Sequence, residues 1–160
     1  MSYPEPKYLG ETGEVSAVFR PSDQPHDLPF TSGSAEYLAT GDSTDSQFGL
    51  YRWNMGARQG GPDPHFHKGI TESFYILEGT VTLYNGTEWV EADEGDFLYV
   101  PQGGVHGFRN DSDEPASMLL LFTPGAPREG YFENLKHLGR MSEEERAEFF
   151  DYHDTYWVDR

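Results

Sequence analysis

Across the middle of the chain, short apolar and aromatic runs alternate with clusters of Gly, Pro, Asp and Asn. That spacing predicts an antiparallel sandwich or small barrel, and no strand–helix–strand rhythm interrupts it. Strands are expected at residues 35–40, 48–55, 65–67, 72–78, 81–84, 87–90, 97–100, 105–108 and 117–122. One more is expected at 15–19, inside an otherwise irregular arm. Asn85 and Gly86 form the preferred pair for a two-residue hairpin turn. The stretch FGLYRWNM at 48–55 suits a strand buried on both faces. Tyr51, Trp53 and Met55 lie on one of its faces and Leu50, Arg52 and Asn54 on the other, and parity alone does not say which turns inward.

After Pro124 the pattern becomes helical. Ser142 with Glu145 reads as a capping box, and Ala147, Phe150 and Phe149 are expected to face the body as a helix that closes one end of the barrel. The organisation expected is one domain, with an arm at 1–33, a barrel at 34–124 and a helical tail at 125–160. The fold class expected is all-β with a short C-terminal helical segment.

Composition narrows the chemistry. With no cysteine, a transition metal must be held by His and carboxylate, and thiol catalysis and disulfides are excluded. A net charge of -17 opposes binding to phosphate backbones or anionic lipid, so neither nucleic acid nor membrane is expected as a partner. The start, MSYPEPKYLGETGEV, lacks a basic region followed by an apolar core, and no apolar run is long enough for a bilayer. A soluble, cytoplasmic protein is the expectation.

The candidate chemistry sits in two stretches, GPDPHFHKGITESFYILEG at 61–79 and GDFLYVPQGGVHGFRN at 95–110. Residues two apart on a strand share a side, so His65 and His67 would project two imidazoles to one point. Glu72 opens the next strand and can add a carboxylate oxygen, and His106 stands beyond the PQGG turn as a fourth ligand. Three imidazoles and a carboxylate suit one divalent first-row transition metal, with Fe, Mn, Ni, Co, Cu and Zn all compatible. His26, His137 and His153 lie in loops or the tail and read as surface or capping residues.

The first stretch reads His-x-His, four residues, Glu, six residues, Gly. The second reads Gly, five residues, Pro-x-Gly, two residues, His, three residues, Asn. Together they resemble the two motifs of the cupin superfamily, matched by His65, His67, Glu72 and Gly79 and by Gly95, Pro101, Gly103, His106 and Asn110. One position departs, since Gln59 stands where the family has a glycine. The resemblance implies a jelly-roll-like double-stranded β-helix barrel and a metal held by His65, His67, Glu72 and His106.

The ATGDSTDS turn, the complete ligand set and the PGAPREGYFENL passage resemble small quercetin 2,3-dioxygenase-like cupins. That likeness implies a metal-dependent dioxygenase for a hydroxylated aromatic or enolisable small molecule, with dioxygen as co-substrate and Glu72 as both ligand and base. Strand parity places Phe74 and Ile76 beside Glu72 and Phe108 beside His106, which predicts an apolar or aromatic substrate pocket. A non-redox isomerase, cyclase or lyase using the metal as Lewis acid, and a binding or sensing module with a structural metal, are the alternatives. Cupins of this kind are frequently dimers, and the aromatic strands and irregular arm are compatible with a homodimer surface.

Overall fold

The computed structural model of the protein describes residues 2–158. Ten strands come first: β1 (Leu28–Phe30), β2 (Gly33–Ala39), β3 (Gly49–Met55), β4 (His65–Phe66), β5 (Thr71–Glu78), β6 (Val81–Tyr84), β7 (Trp89–Ala92), β8 (Phe97–Val100), β9 (Gly107–Arg109) and β10 (Ala116–Thr123). The tail follows as α1 (Arg128–Asn134), a 3-10 segment (Leu135–Arg140), α2 (Glu143–Tyr152) and a last short strand, β11 (Tyr156–Trp157). This is the all-β architecture with a short C-terminal helical segment that the pattern predicts.

A six-stranded antiparallel sheet runs in the order β1-β2-β3-β10-β5-β8, and a smaller one in the order β7-β6-β9. β11 and β4 pair as a separate ribbon, which an isolated antiparallel bridge between His65 and His106 connects to the second motif. The core lies between these layers. Tyr51 and Trp53 from β3, Phe74 and Ile76 from β5, and Met118, Leu120 and Phe122 from β10 meet Val81 and Leu83 from β6 and Phe108 from β9. Each large apolar side chain buried in this way contributes roughly 1.5–3 kcal/mol relative to exposure.

β3 alternates strictly between buried and half-buried positions, so it is not buried on both faces. Tyr51, Trp53 and Met55 turn inward. Arg52 turns outward to Asn54, Ser117 and Glu78. Polar partners on the outer face resolve the parity ambiguity, because a buried guanidinium at that position would have had no such neighbours.

Three further expectations are corrected. Residues 15–19 form no strand, and Val15, Val18 and Phe19 are exposed. No neighbouring strand takes their backbone groups, and a lone short strand is unstable. The hairpin at Asn85 closes with a four-residue connection, since Tyr84 pairs with Trp89. The Asn85 carboxamide oxygen accepts from the amides of both Thr87 and Glu88, an Asx turn that competes with the two-residue loop. In α2, Phe150 is buried and Phe149 half-buried, but Ala147 faces solvent.

The tail is anchored at both helices. Tyr51 Oη donates to Glu129 at 2.5 Å and Tyr37 Oη to Glu133 at 3.2 Å, so one face of α1 is tied to β3 and β2. Burial first, and then the Glu129 carboxylate, push the Tyr51 hydroxyl well above the ordinary phenol value, so it stays a neutral donor. At the start of α2 the capping box forms: Glu145 N donates to Ser142 Oγ at 3.2 Å and Ser142 N to Glu145 Oε2 at 2.7 Å. The Ser142 amide holds the Glu145 carboxyl below its ordinary value. Its contribution is therefore present at neutral pH and is lost as pH falls through the acidic range.

Replacing Ser142 by Ala removes the cap and should lower stability by about 1 kcal/mol. For a chain of this size that corresponds to a melting temperature lower by roughly 2–4 °C, measurable by differential scanning calorimetry at pH 7. An unchanged melting temperature would show that α2 does not unfold with the barrel.

Candidate metal centre

His65 opens β4 and His67 follows its last residue, Glu72 is the second residue of β5, and His106 immediately precedes β9. All four side chains are buried, none more than 4% exposed. They bring one ligating atom each to a single locus, all within 4.8 Å of one another. The bridge from His65 N to His106 O at 2.9 Å, with its return bond at 2.8 Å, sets the two motifs side by side. Gly103 N donates to His67 O at 2.7 Å, and Gly103 has a φ of +79°, a backbone that a β-carbon would strain.

Each imidazole is held from behind by a main-chain carbonyl. His65 Nδ1 donates to Asp63 O at 2.9 Å, His106 Nδ1 to Gly104 O at 3.0 Å, and His67 Nδ1 to Asp154 O. With the Nδ1 proton engaged, the neutral ring presents its Nε2 lone pair to the centre. Nε2 of His67 lies 3.1 Å and Nε2 of His106 2.8 Å from Glu72 Oε2. Lone pairs on imidazole nitrogens facing a carboxylate oxygen repel unless a proton or a metal cation lies among them. The donor set therefore fits a metal ion, and its nitrogen and oxygen atoms suit a divalent first-row transition metal.

Electrostatics agree in sign. Burial works against the charged form of Glu72, but His106 and His67 outweigh it and hold the carboxyl well below its usual range. Burial, and then the neighbouring His106, push His65 down to about 3, so it is a neutral donor at physiological pH. On His106 burial also opposes charge, yet Glu72 raises it above an ordinary imidazole. Glu72 thus calls for positive charge beside it, which a metal ion supplies.

A cavity of about 410 Å³ opens against this cluster, with His65 and Glu72 on its wall. Trp53, Phe108, Phe132 and Trp157 form much of the remaining lining. Trp53 packs at 5.0 Å from Phe132 and 6.2 Å from Phe108, and Trp157 at 5.3 Å from His65, measured between ring centres. Of the residues expected beside the metal, Phe108 lines the cavity. Phe74 and Ile76 lie on the Glu72 side of β5 but are wholly enclosed in the core, and neither reaches the cavity. Phe74 packs instead against His106 and Phe108. The cavity extends toward the tail, away from the direction in which β5 continues.

Two residues of the tail belong to the site although their own segment gives no motif. Asp154, with a φ of +52°, accepts His67 Nδ1–H on its carbonyl. Its carboxylate accepts the amides of Lys68, Gly69 and Ile70, at 2.9, 2.8 and 3.3 Å, and so fixes the turn between the second histidine and Glu72. Arg128 is 4% exposed and lines the cavity. A weak signal for it was present, because positions 128, 131, 132 and 135 are i, i+3, i+4 and i+7 and place an arginine on an otherwise apolar helical face. Asn110 is a structural residue, donating to Gly56 O and Glu114 O and accepting from Ser112. Gln59 fills the departing motif position and accepts Gly56 N at 3.0 Å through Oε1.

Asp154→Ala should free the 68–70 turn and lower metal affinity by about 10–100-fold, as loss of a group supporting a ligand does. Asp154→Asn, which keeps one carboxamide oxygen and tolerates positive φ, should lose less. Competition with a chelator, read by metal content, measures both. Retention by the alanine variant equal to wild type would remove Asp154 from the site.

Residues 51–122 match the family model for the cupin domain. The quercetin 2,3-dioxygenase of Bacillus subtilis (strain 168) is 34% identical over 104 residues, covering 59% of this chain and 30% of that protein. A sugar phosphate isomerase of the cupin superfamily from Silicibacter pomeroyi DSS-3 superposes with a TM-score of 0.50 at 27% identity, over 57% of this chain and 59% of its own. The ectoine synthase of P. lautus superposes with a TM-score of 0.59 over 74% of this chain and 86% of its own. At 16% identity that second likeness is one of fold alone. The chain spans 30%, 50% and 32% of the lengths of three curated relatives it matches. The stretch that matches the cupin domain contains all four converging ligand residues.

Proposed function

We infer that this chain is a metal-dependent dioxygenase acting on a hydroxylated aromatic or enolisable small molecule. The observation that carries this reading is a buried three-histidine, one-carboxylate cluster on the wall of an aromatic-lined cavity. The 34% identity to a quercetin 2,3-dioxygenase supports it. A divalent first-row metal held by His65, His67, His106 and Glu72 would supply a Lewis-acidic, redox-capable centre for a deprotonated oxygen and for dioxygen.

The side chains divide the work. Glu72 Oε2 faces His67 and His106, whereas Oε1 accepts no hydrogen bond from the described residues and Glu72 borders the cavity. One oxygen thus belongs to the ligand set, and the other can take the proton of a substrate hydroxyl. Trp53, Phe108 and Phe132 offer faces for an aromatic ring, fixing its orientation and excluding water from the proton transfer. His65, kept neutral by burial, stays available as a donor throughout.

A second reading, a non-redox cupin isomerase, cyclase or lyase, draws on the 27% likeness to the sugar phosphate isomerase. The two separate on oxygen consumption. Protein loaded with iron, manganese, nickel or cobalt should consume oxygen with at least one member of a panel of flavonols, catechols and diketones. No uptake by any form would sink the oxygenase and favour the second reading. With an active pair found, Glu72→Gln should lower kcat by about 100-fold or more. Its metal content should fall by less, and equal loss of both would leave Glu72 a ligand only.

A further inference from the structure

The chain carries 28 acidic and 11 basic residues, and four of its eight arginines pair with carboxylates. Arg20 pairs with Asp27, Arg52 with Glu78, Arg58 with Asp113 and Arg109 with Asp111. Arg128 is the most deeply buried arginine and lacks such a pair among the described residues. Its Nη1 donates to His153 O at 2.7 Å, and its Nε is buried with no hydrogen-bond partner. The guanidinium lies 4.2 Å from the ring centre of Tyr131, with Phe122 at 5.2 Å and Phe132 at 5.6 Å.

Aromatic faces and one carbonyl do not replace the hydration of a guanidinium, which has five N–H donors. Keeping it buried costs stability unless a counter-charge arrives. Burial accordingly holds the Arg128 guanidinium below its ordinary value, with the Glu72 carboxylate acting in the opposite direction. Its position excludes a random surface origin: α1 is tied down by Glu129 and Glu133 on one face, and the other face delivers Arg128 to the cavity wall shared with Glu72 and His65. Its charge also acts on Glu72 and on His106, so it stands within the field of the ligand cluster. Arg146, half-buried, borders the same cavity and has no ion pair among the described residues.

The geometry points to Arg128 as an oxyanion receptor, so that the substrate of this cavity is an aromatic or enolisable compound bearing a carboxylate or phosphate. The inference rests on the small-molecule reading of the cavity above and adds the charge of its ligand. The ring packs against Trp53, Phe108 and Phe132, and the oxyanion meets the guanidinium, whose planar fork matches two oxygens at once. Arg128 touches substrate and positions it, and no bond is made or broken there.

The test measures binding without turnover, so it stands whether or not the protein proves to be an oxygenase. Protein loaded with redox-inert zinc is titrated with the hydroxybenzoate isomers against the matching hydroxybenzamides, and with phenyl phosphate against phenol. Quenching of tryptophan fluorescence, with Trp53 and Trp157 on the cavity wall, reports occupancy. At least one anion should bind about tenfold more tightly than its neutral partner, and which pair shows the preference separates carboxylate from phosphate. Arg128→Met fills the space among Phe122, Tyr131 and Phe132 without charge. It should abolish the preference, read as the ratio of anion to neutral affinity within the same variant. Arg128→Gln serves as a second uncharged variant, and the wild-type comparison depends on neither. Equal affinities within every pair, no binding by any compound, or a preference that survives in both variants would overturn the assignment. A preference lost in Arg146→Gln but kept in Arg128→Met would also overturn it, transferring the receptor to Arg146.

Discussion

Three imidazoles and a carboxylate are directed at one buried point, and the fold must hold them there before any metal cation arrives. The carbonyls of Asp63, Gly104 and Asp154 do this by taking the Nδ1 proton of each ring. Because every ring is oriented by main chain and not by another side chain, the site's geometry is inherited directly from the backbone. That explains why turns surround it. The PQGG turn, the turn at 68–70 and the approach through Asp63 each set a carbonyl or a ligand in place; main-chain bonds tie the first to His67, and the Asp154 carboxylate holds the second.

The third of those carbonyls comes from a residue 87 positions beyond its histidine. Residues 153–157 do several things in a few steps of chain: His153 O receives Arg128, Asp154 holds His67 and the turn after it, and Tyr156 and Trp157 pair with Phe66 and His65. The tail is thus continuous with the metal centre through hydrogen bonds. A helix that merely covered a barrel end could shift without touching the ligands. Here the chain leaving α2 is a structural part of them, so the stability of the tail and the integrity of the centre are coupled.

Much of the barrel was legible because strand parity and turn residues are local properties. β6 and β8 fall where the pattern places them, and the spacing of His65, His67, Glu72 and His106 follows from period-two geometry and one glycine-rich turn. Harder to read was whatever depends on closure in space. Parity placed Phe74 and Ile76 on the correct face of β5 but could not show that the core fills that direction while the cavity opens in another. Asp154 and Arg128 act on the centre only after α1, α2 and β11 have folded back; a lone aspartate carries no periodic mark of that, and the arginine carries only its place on an apolar helical stripe. At 85–88 two local rules competed, and the Asn85 side chain prevailed by bonding two amides where the tighter turn would satisfy fewer.

A net charge of -17 and a cavity built to take an anion look contradictory, but they act over different distances. The Debye length at physiological salt is about 8 Å, so exposed carboxylates act weakly on the cavity through solvent. Within the cavity the dielectric is lower and the nearby charges dominate, namely Arg128, Arg146, Asp63 and the ligand cluster with whatever cation it holds. The acidic surface therefore lowers the rate at which an anion approaches more than it lowers the affinity once inside, and raising ionic strength should relieve the first effect while leaving most of the second. A neutral ligand would gain less than an oxyanion from a buried guanidinium without an ion pair, and the same volume filled by an apolar side chain would make a more stable cavity wall.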